Sequence, residues 1–235
     1  MNRDDVMTME EATTPSSGQR AGSFRFSDDV VMLQAENFAA EAESIGALRT
    51  QLLSQHLRKG RRALTILSPN RKAGSTFVAV NLAASLAQAG IKTLLIDANM
   101  REPLIQRMII PPAPVSGLSD CLETGGSDFG DIIQDDVLPL LSVIYAGRAS
   151  PNAQELLARP QLNLLVDLCL REYEITIVDT APSNNCADAQ LMATLLRYAL
   201  IVVRKDDSYV NDVKTLITDL HANRVEVIGT VINET

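Results

Sequence analysis

The sequence predicts an α/β fold: a three-layer α/β/α sandwich around a mostly parallel sheet. Two observations carry this. Short, wholly apolar runs of strand composition recur along the chain, as at Ala63–Leu67 and Thr93–Ile96. Helical segments such as Thr76–Ala89 lie between them. Strands that are apolar along their whole length belong to a sheet covered on both faces, and the intervening helices supply the crossovers of parallel pairing. The length of 235 residues suits one domain, or one with an appendage, and can bury a full core without staples.

Taken in order, residues 1–35 are polar, with Thr13-Thr14-Pro15-Ser16-Ser17-Gly18 at their centre, and read as a flexible arm. The domain proper is expected at 36–235. It begins with a helix from Glu36 to about His56, whose stripe is Phe38, Ala42, Ile45, Leu48 and Leu52, and which Gly60 closes. The first strand, Ala63–Leu67, leads through a polar loop into the helix Thr76–Ala89, which Gly90 ends. Strands are then expected at Thr93–Ile96, Leu138–Tyr145, Ile175–Val178, Leu200–Val203 and Val225–Ile232. Helices are expected at Ala153–Ala158, Leu162–Arg171, Ala187–Arg197 and Tyr209–Ala222.

Composition limits the function. Hydrophobic residues make up 46% and charged residues 21%, a soluble globular balance. The formal charge of −8 argues against bulk attraction to nucleic acid or an anionic membrane. Arg58-Lys59-Gly60-Arg61-Arg62 is a local basic run, ordinarily a solvated helix end. Cys121, Cys169 and Cys186 have neither metal-ligand nor disulfide spacing, which fits a reducing compartment. No leader pattern is present, and no apolar run approaches the roughly 18 residues of a membrane span. Work at a membrane would therefore require a partner.

In open parallel sheets ligands bind beyond the carboxyl ends of the strands. The residues there are Ser68–Thr76, Asp97, Asp179-Thr180, Arg204 and Asn233. Loop amides and a helix N-terminus hold phosphate oxygens, a hydroxyl such as that of Thr76 can ligate magnesium, and carboxylates hold its waters. The structural alternative is that each aspartate merely caps the next turn. A phosphate loop wants Gly-x-x-x-x-Gly-Lys-Ser/Thr, and after Gly74 this chain has Ser75 and Thr76 with no lysine.

Five segments in order carry a resemblance. They are EAESIGALRTQL (Glu41–Leu52), LLIDANMREP (Leu94–Pro103), GLSDCLETG (Gly117–Gly125), AGRASPNAQELLARP (Ala146–Pro160) and ITIVDTAP (Ile175–Pro182), the last followed by Asp188. From about residue 36 onward the chain resembles the bacterial tyrosine autokinases of capsule and exopolysaccharide synthesis. These are P-loop proteins of the deviant type, related to the ATPases of cell division and partition. The resemblance implies ATP or ADP with Mg2+, held by Lys72, Ala73, Gly74, Ser75, Thr76 and Phe77 together with Arg101, Arg204 and Asn233. It implies Thr76, Asp97 and Asp179 at the metal, with Asp97 catalytic if the chain is active. It also implies self-association through Glu43 and Arg49 on a helix spanning 36–60. Its implied partner is a membrane polysaccharide co-polymerase, whose cytoplasmic tail would hold a cytoplasmic protein at the inner membrane and strengthen its oligomer. No nucleic-acid partner is expected.

Four departures accompany the likeness. Ser75 stands where the family has its loop lysine, and Lys72 where it has the first glycine. Asn99 replaces the second aspartate of the carboxylate motif, and Gly46 the middle arginine of the oligomerisation motif. The family's tyrosine-rich tail has no counterpart before Thr235, and Tyr145, Tyr173, Tyr198 and Tyr209 fall in or beside predicted elements, where burial is the ordinary fate. Loss of a charge-assisted hydrogen bond worth about 1.5–3 kcal/mol weakens binding about 10- to 100-fold. The expectation is thus a kinase-like subunit with weakened or lost ATP use. The alternatives are an active autokinase relying on Lys72 or a partner's residues, and a positioning ATPase.

Overall fold

The computed structural model describes residues 23–126, 128–184 and 186–234. Its strands are β1 (Arg25–Phe26), β2 (Ala63–Leu67), β3 (Thr93–Asp97), β4 (Ile109–Ile110), β5 (Ile133–Leu138), β6 (Leu141–Ile144), β7 (Ile175–Asp179), β8 (Tyr198–Arg204) and β9 (Glu226–Asn233). Its helices are α1 (Ala39–Gln55), α2 (Ser75–Gln88), α3 (Ile105–Met108), α4 (Leu118–Thr124), α5 (Ala153–Leu157), α6 (Pro160–Glu172), α7 (Asp188–Leu196) and α8 (Val210–Ala222). The main sheet runs β5-β6-β3-β7-β2-β8-β9, parallel throughout except for β5.

The central strands β2, β3 and β7 are buried at every residue, as their apolar runs require. Leu64, Ile66 and Leu95 pack with Leu82 and Leu86 of α2, while Leu94, Ile96 and Val178 pack with Leu165 of α6 and Met192 of α7. Leu67 and Ile201 pack with Leu216 and Leu220 of α8. The result is the three-layer sandwich that the alternation predicts. The order reverses around β2, with β7 on one side and β8 on the other, so the loop after β2 opens at the switch point.

Two expectations about elements are corrected. The strand expected over Leu138–Tyr145 is the second arm of a hairpin. Pro139-Leu140 turns the chain, Leu140 taking φ 67°, and β5 returns antiparallel as the sheet edge. Gln134-Asp135-Asp136 hid β5 because an edge strand exposes polar residues. The second correction concerns the arm. Residues 1–22 lie outside the described residues, but the stretch from Phe24 onward packs on the domain. Val30 and Val31 are buried, and β1 pairs antiparallel with β4. Asn81 on α2 anchors this segment, donating to Asp29 O (2.8 Å) and accepting from Met32 N (3.2 Å). The apolar cluster at residues 30–33, with Phe24 and Phe26, supplies the packing, and the buried Asn81 amide fixes the backbone at Asp29 and Met32.

Candidate functional site

The loop between β2 and α2 surrounds the N-terminus of α2. Gly74 precedes the helix with φ 88°, a conformation that favours glycine, and a Cβ there would displace the Asn233 side-chain amide. Lys72 takes φ 61°, the left-handed conformation that suits the glycine whose place it holds. Arg204 Nη1 donates to Lys72 O (3.4 Å) and Asn233 Nδ2 to Ala73 O (3.1 Å). Two residues expected at a ligand thus brace the loop backbone from the ends of β8 and β9. Among the described residues no side chain caps the start of the 14-residue α2, which suits an anion site.

Beneath the loop lie two carboxylates. Asp97 and Asp179 end the neighbouring strands β3 and β7 in direct register, and both are fully buried. Thr76 Oγ1 donates to Asp179 Oδ2 at 2.6 Å, and Asp179 Oδ1 has no partner among the described residues. Asp97 accepts from Asn99 N (3.0 Å) and Ile105 N (3.2 Å). Burial pushes the Asp97 carboxyl up to about 7 against these bonds. Burial, then the neighbouring Asp97 charge, raises Asp179 well above the carboxylate range, while the Thr76 hydroxyl opposes the shift. Two carboxylates and a hydroxyl form an all-oxygen set of the kind a hard cation takes while keeping several waters. The orphaned Asp179 oxygen makes the residues present a fit for magnesium. Mg2+ bound there would supply positive charge next to phosphate oxygens, and the chain's own part is to present Thr76, Asp97 and Asp179 in fixed register.

Above lies a cleft of about 530 Å3. The predicted loop residues Lys72, Ala73, Gly74, Ser75, Thr76 and Phe77 line it, with Asn99. Glu102, Leu104, Arg107 and Met108 line it too, as does Asp29 from the segment read as an arm. Sequence reasoning missed these. The signal available was that Pro103 and the apolar pair Leu104-Ile105 follow the carboxylate motif directly; Ile105 N ties α3 to Asp97. Arg71 pairs with Glu102 at 2.7 Å across exposed surface, whereas Lys72 and Arg107 are exposed and have no side-chain partner among the described residues.

Three placements differ from expectation. Arg101 does not line the cleft. It grips the buried Asp188 with Nε–Oδ2 at 2.7 Å and Nη2–Oδ1 at 3.3 Å, and donates to Pro151 O, clamping the segment after β3 to α7. Glu43 is exposed, but Arg49 turns inward and donates to Ser85 Oγ (3.0 Å) and Ser85 O (3.3 Å) on α2. The two charges therefore do not share one open face. Tyr209, expected to be buried or half-buried, is 73% exposed at the start of α8. Tyr145 is fully buried, its hydroxyl donating to Ile109 O.

A phosphate-type loop, a hydroxyl at the helix start and paired strand-end aspartates on this sheet order define a P-loop fold of the partition-ATPase type. The cell-division ATPase MinD of Pyrococcus furiosus shares that fold, with a TM-score of 0.61 over 74% of this chain and 72% of that one at 21% identity. No protein-family model matches the chain. Individual relatives do: the tyrosine-protein kinase CpsD of Streptococcus agalactiae is 29% identical over 192 residues, covering 82% of each chain. The EpsB protein of Ralstonia solanacearum is 30% identical over 223 residues, or 95% of this chain and 28% of that one. The kinase domain of the Escherichia coli tyrosine kinase ETK superposes with a TM-score of 0.80 at 27% identity, covering 92% of this chain and 82% of that one. Over most of its length the chain is similar to bacterial tyrosine-protein kinases. It spans most of CpsD but only about a quarter of the longer relative.

Proposed function

We propose that the chain is a tyrosine-kinase-like subunit of an exopolysaccharide polymerisation and export system, with weakened ATP use. It would act in the cytoplasm at the inner membrane through a membrane co-polymerase and would assemble more strongly with that partner than alone. One observation carries the weakened chemistry: Ser75, not lysine, opens α2 beside Thr76, Asp97 and Asp179. Thr76, Asp97 and Asp179 keep the metal-binding set, so Mg-nucleotide would still enter, held by loop amides and without a fixed cation at the terminal phosphates. Phosphoryl transfer relies on positioning and charge stabilisation, and a missing donor costs about 10² or more in rate.

A second reading, an active kinase, draws support from Lys72 and Arg107, two cations on the same cleft with no side-chain partner among the described residues. Incubation of the purified chain with Mg-ATP separates the two. The expected result is little phosphotyrosine. A strong signal, mapped to the exposed Tyr209 and lost in Asp97→Ala, would establish the second reading instead.

A further inference from the structure

We propose that the rim formed by the amino ends of the strands is a docking face for an anionic lipid surface. The formal charge of −8 hides a segregation of charge. The parallel strands place their amino ends side by side at the end of the molecule opposite the cleft. Backbone bonds join this row: Leu140 O to Thr93 N, Lys92 O to Glu174 N, Arg62 O to Thr176 N and Arg197 O to Glu226 N. Arg62, Lys92, Arg171, Arg197 and Arg224 stand on it, each directly before a strand or within four residues of one, and all are exposed. Arg58 and Lys59 add two more exposed cations where the chain leaves α1 for β2.

The opposing charges are few. Glu226 is taken by Arg61 at 2.8 Å, while Glu172 and Glu174, the latter accepting from Lys92 N, stand among the cations. Asp135 and Asp136 sit further along the edge strand, and Ser142 and Tyr173 engage Asp135. Arg58, Lys59, Arg171, Arg197 and Arg224 have no side-chain partner among the described residues.

An apolar element completes the face. The hairpin tip between β5 and β6 projects at this same rim, and its Leu140 is 45% exposed. Cations spread along a row beside an exposed apolar tip match a lipid surface, where headgroup phosphates take the charges and the interface takes the leucine. A nucleic-acid strand is a poorer fit, because Tyr173 is buried and Tyr198 carries Arg61 on its ring, so neither is open to stack a base. An added peptide strand is a poorer fit too, since the backbone groups of the row are paired to one another.

Co-sedimentation of the full chain with vesicles tests this. Neutral phosphatidylcholine vesicles are compared with vesicles containing about 30% phosphatidylglycerol, at about 50 and 500 mM salt. Anionic vesicles should retain the chain at least about tenfold better than neutral ones, and high salt should abolish the difference. The double change Arg58→Glu with Lys59→Glu, at exposed positions without partners, should cut retention about tenfold or more. Lys205→Glu with Lys214→Glu alters the charge equally at other exposed sites and should not. Leu140→Asn, which keeps the left-handed backbone, should weaken retention on the anionic vesicles at about 50 mM salt. At about 50 mM salt, equal retention on both vesicle types, none on either, or equal effects of the two charge reversals would overturn the proposal. So would capture by polyglutamate or single-stranded DNA without vesicle binding.

Discussion

Lys72 sits at φ 61° in a loop whose geometry suits glycine, and Ser75 sits where a cation is wanted. Relaxing the first and supplying the second should act together. Arg71→Pro, Lys72→Gly, Ala73→Glu and Ser75→Lys, made as one variant, should raise Mg-ATP affinity about tenfold or more, the worth of one charged contact, as read by calorimetry. No gain would mean that Lys72 already serves the phosphates. The buried aspartates supply a pH test. Their folded-state affinities for protons lie above those of unfolded carboxylates, so the folded state binds more protons between about pH 4 and the raised values. Stability from this pair is therefore greatest at the acid end and falls as pH rises through about 7, the value for Asp97. Without divalent ions, the Tm of the chain should decline from pH 5 to pH 8, and the decline should be shallower in Asp97→Asn. Adding Mg2+ at pH 8 should recover Tm in the parent and not in Asp97→Asn combined with Asp179→Asn.

At the scale of elements, α1 shows what the motif departures do. Gly46 lies mid-helix, and a Cβ there meets nothing within 4 Å. Gly46→Ala should thus stabilise the chain by about 0.5–1 kcal/mol, a rise of about 1–4 °C in Tm for this size. A fall in Tm would show that the bare backbone of α1 is needed for contact. Arg49 holds α1 to α2 through Ser85, so its loss disturbs packing within the chain and is a poor probe of assembly. Glu43, exposed and without a partner among the described residues, is the better one. If α1 mediates self-association, Glu43→Lys should reduce any oligomer seen in sedimentation, because like charges at a docking surface repel.

For the whole molecule, nucleotide binding and folding are linked, since a ligand that binds only the folded state adds RT ln(1 + [L]/Kd). With the loop lysine absent, millimolar Mg-ATP should add less than about 1.5 kcal/mol, a Tm shift of a few degrees. A shift beyond about 10 °C would place the chain among tight binders and favour the active-kinase reading. The sheet fixes the poles of the molecule: the carboxyl ends of the parallel strands hold the cleft, and the amino ends hold the cations.

By itself the sequence determined the parallel sandwich, the loop after β2 and the placing of Asp97 and Asp179 at strand ends on its rim, while the order of the strands made them neighbours. Periodicity and apolar run length report local geometry, and the rim of a parallel sheet gathers whatever follows each strand. It also determined the missing lysine, a matter of covalent identity. The tertiary structure alone decided which partners the rim residues choose. Arg101 could face a phosphate or Asp188, and its fork found the buried carboxylate at the start of α7. Arg204 and Asn233 found loop carbonyls. Phe24 to Leu33 follows a polar stretch without a helical or strand period, although Phe24, Phe26, Val30, Val31, Met32 and Leu33 are apolar, and only contact with α2 and β4 shows what those side chains cover. Such choices depend on through-space neighbours brought together by crossovers, which no local window contains. The same holds for the cations of the amino-end rim, scattered along the chain and collected by strands that all point one way.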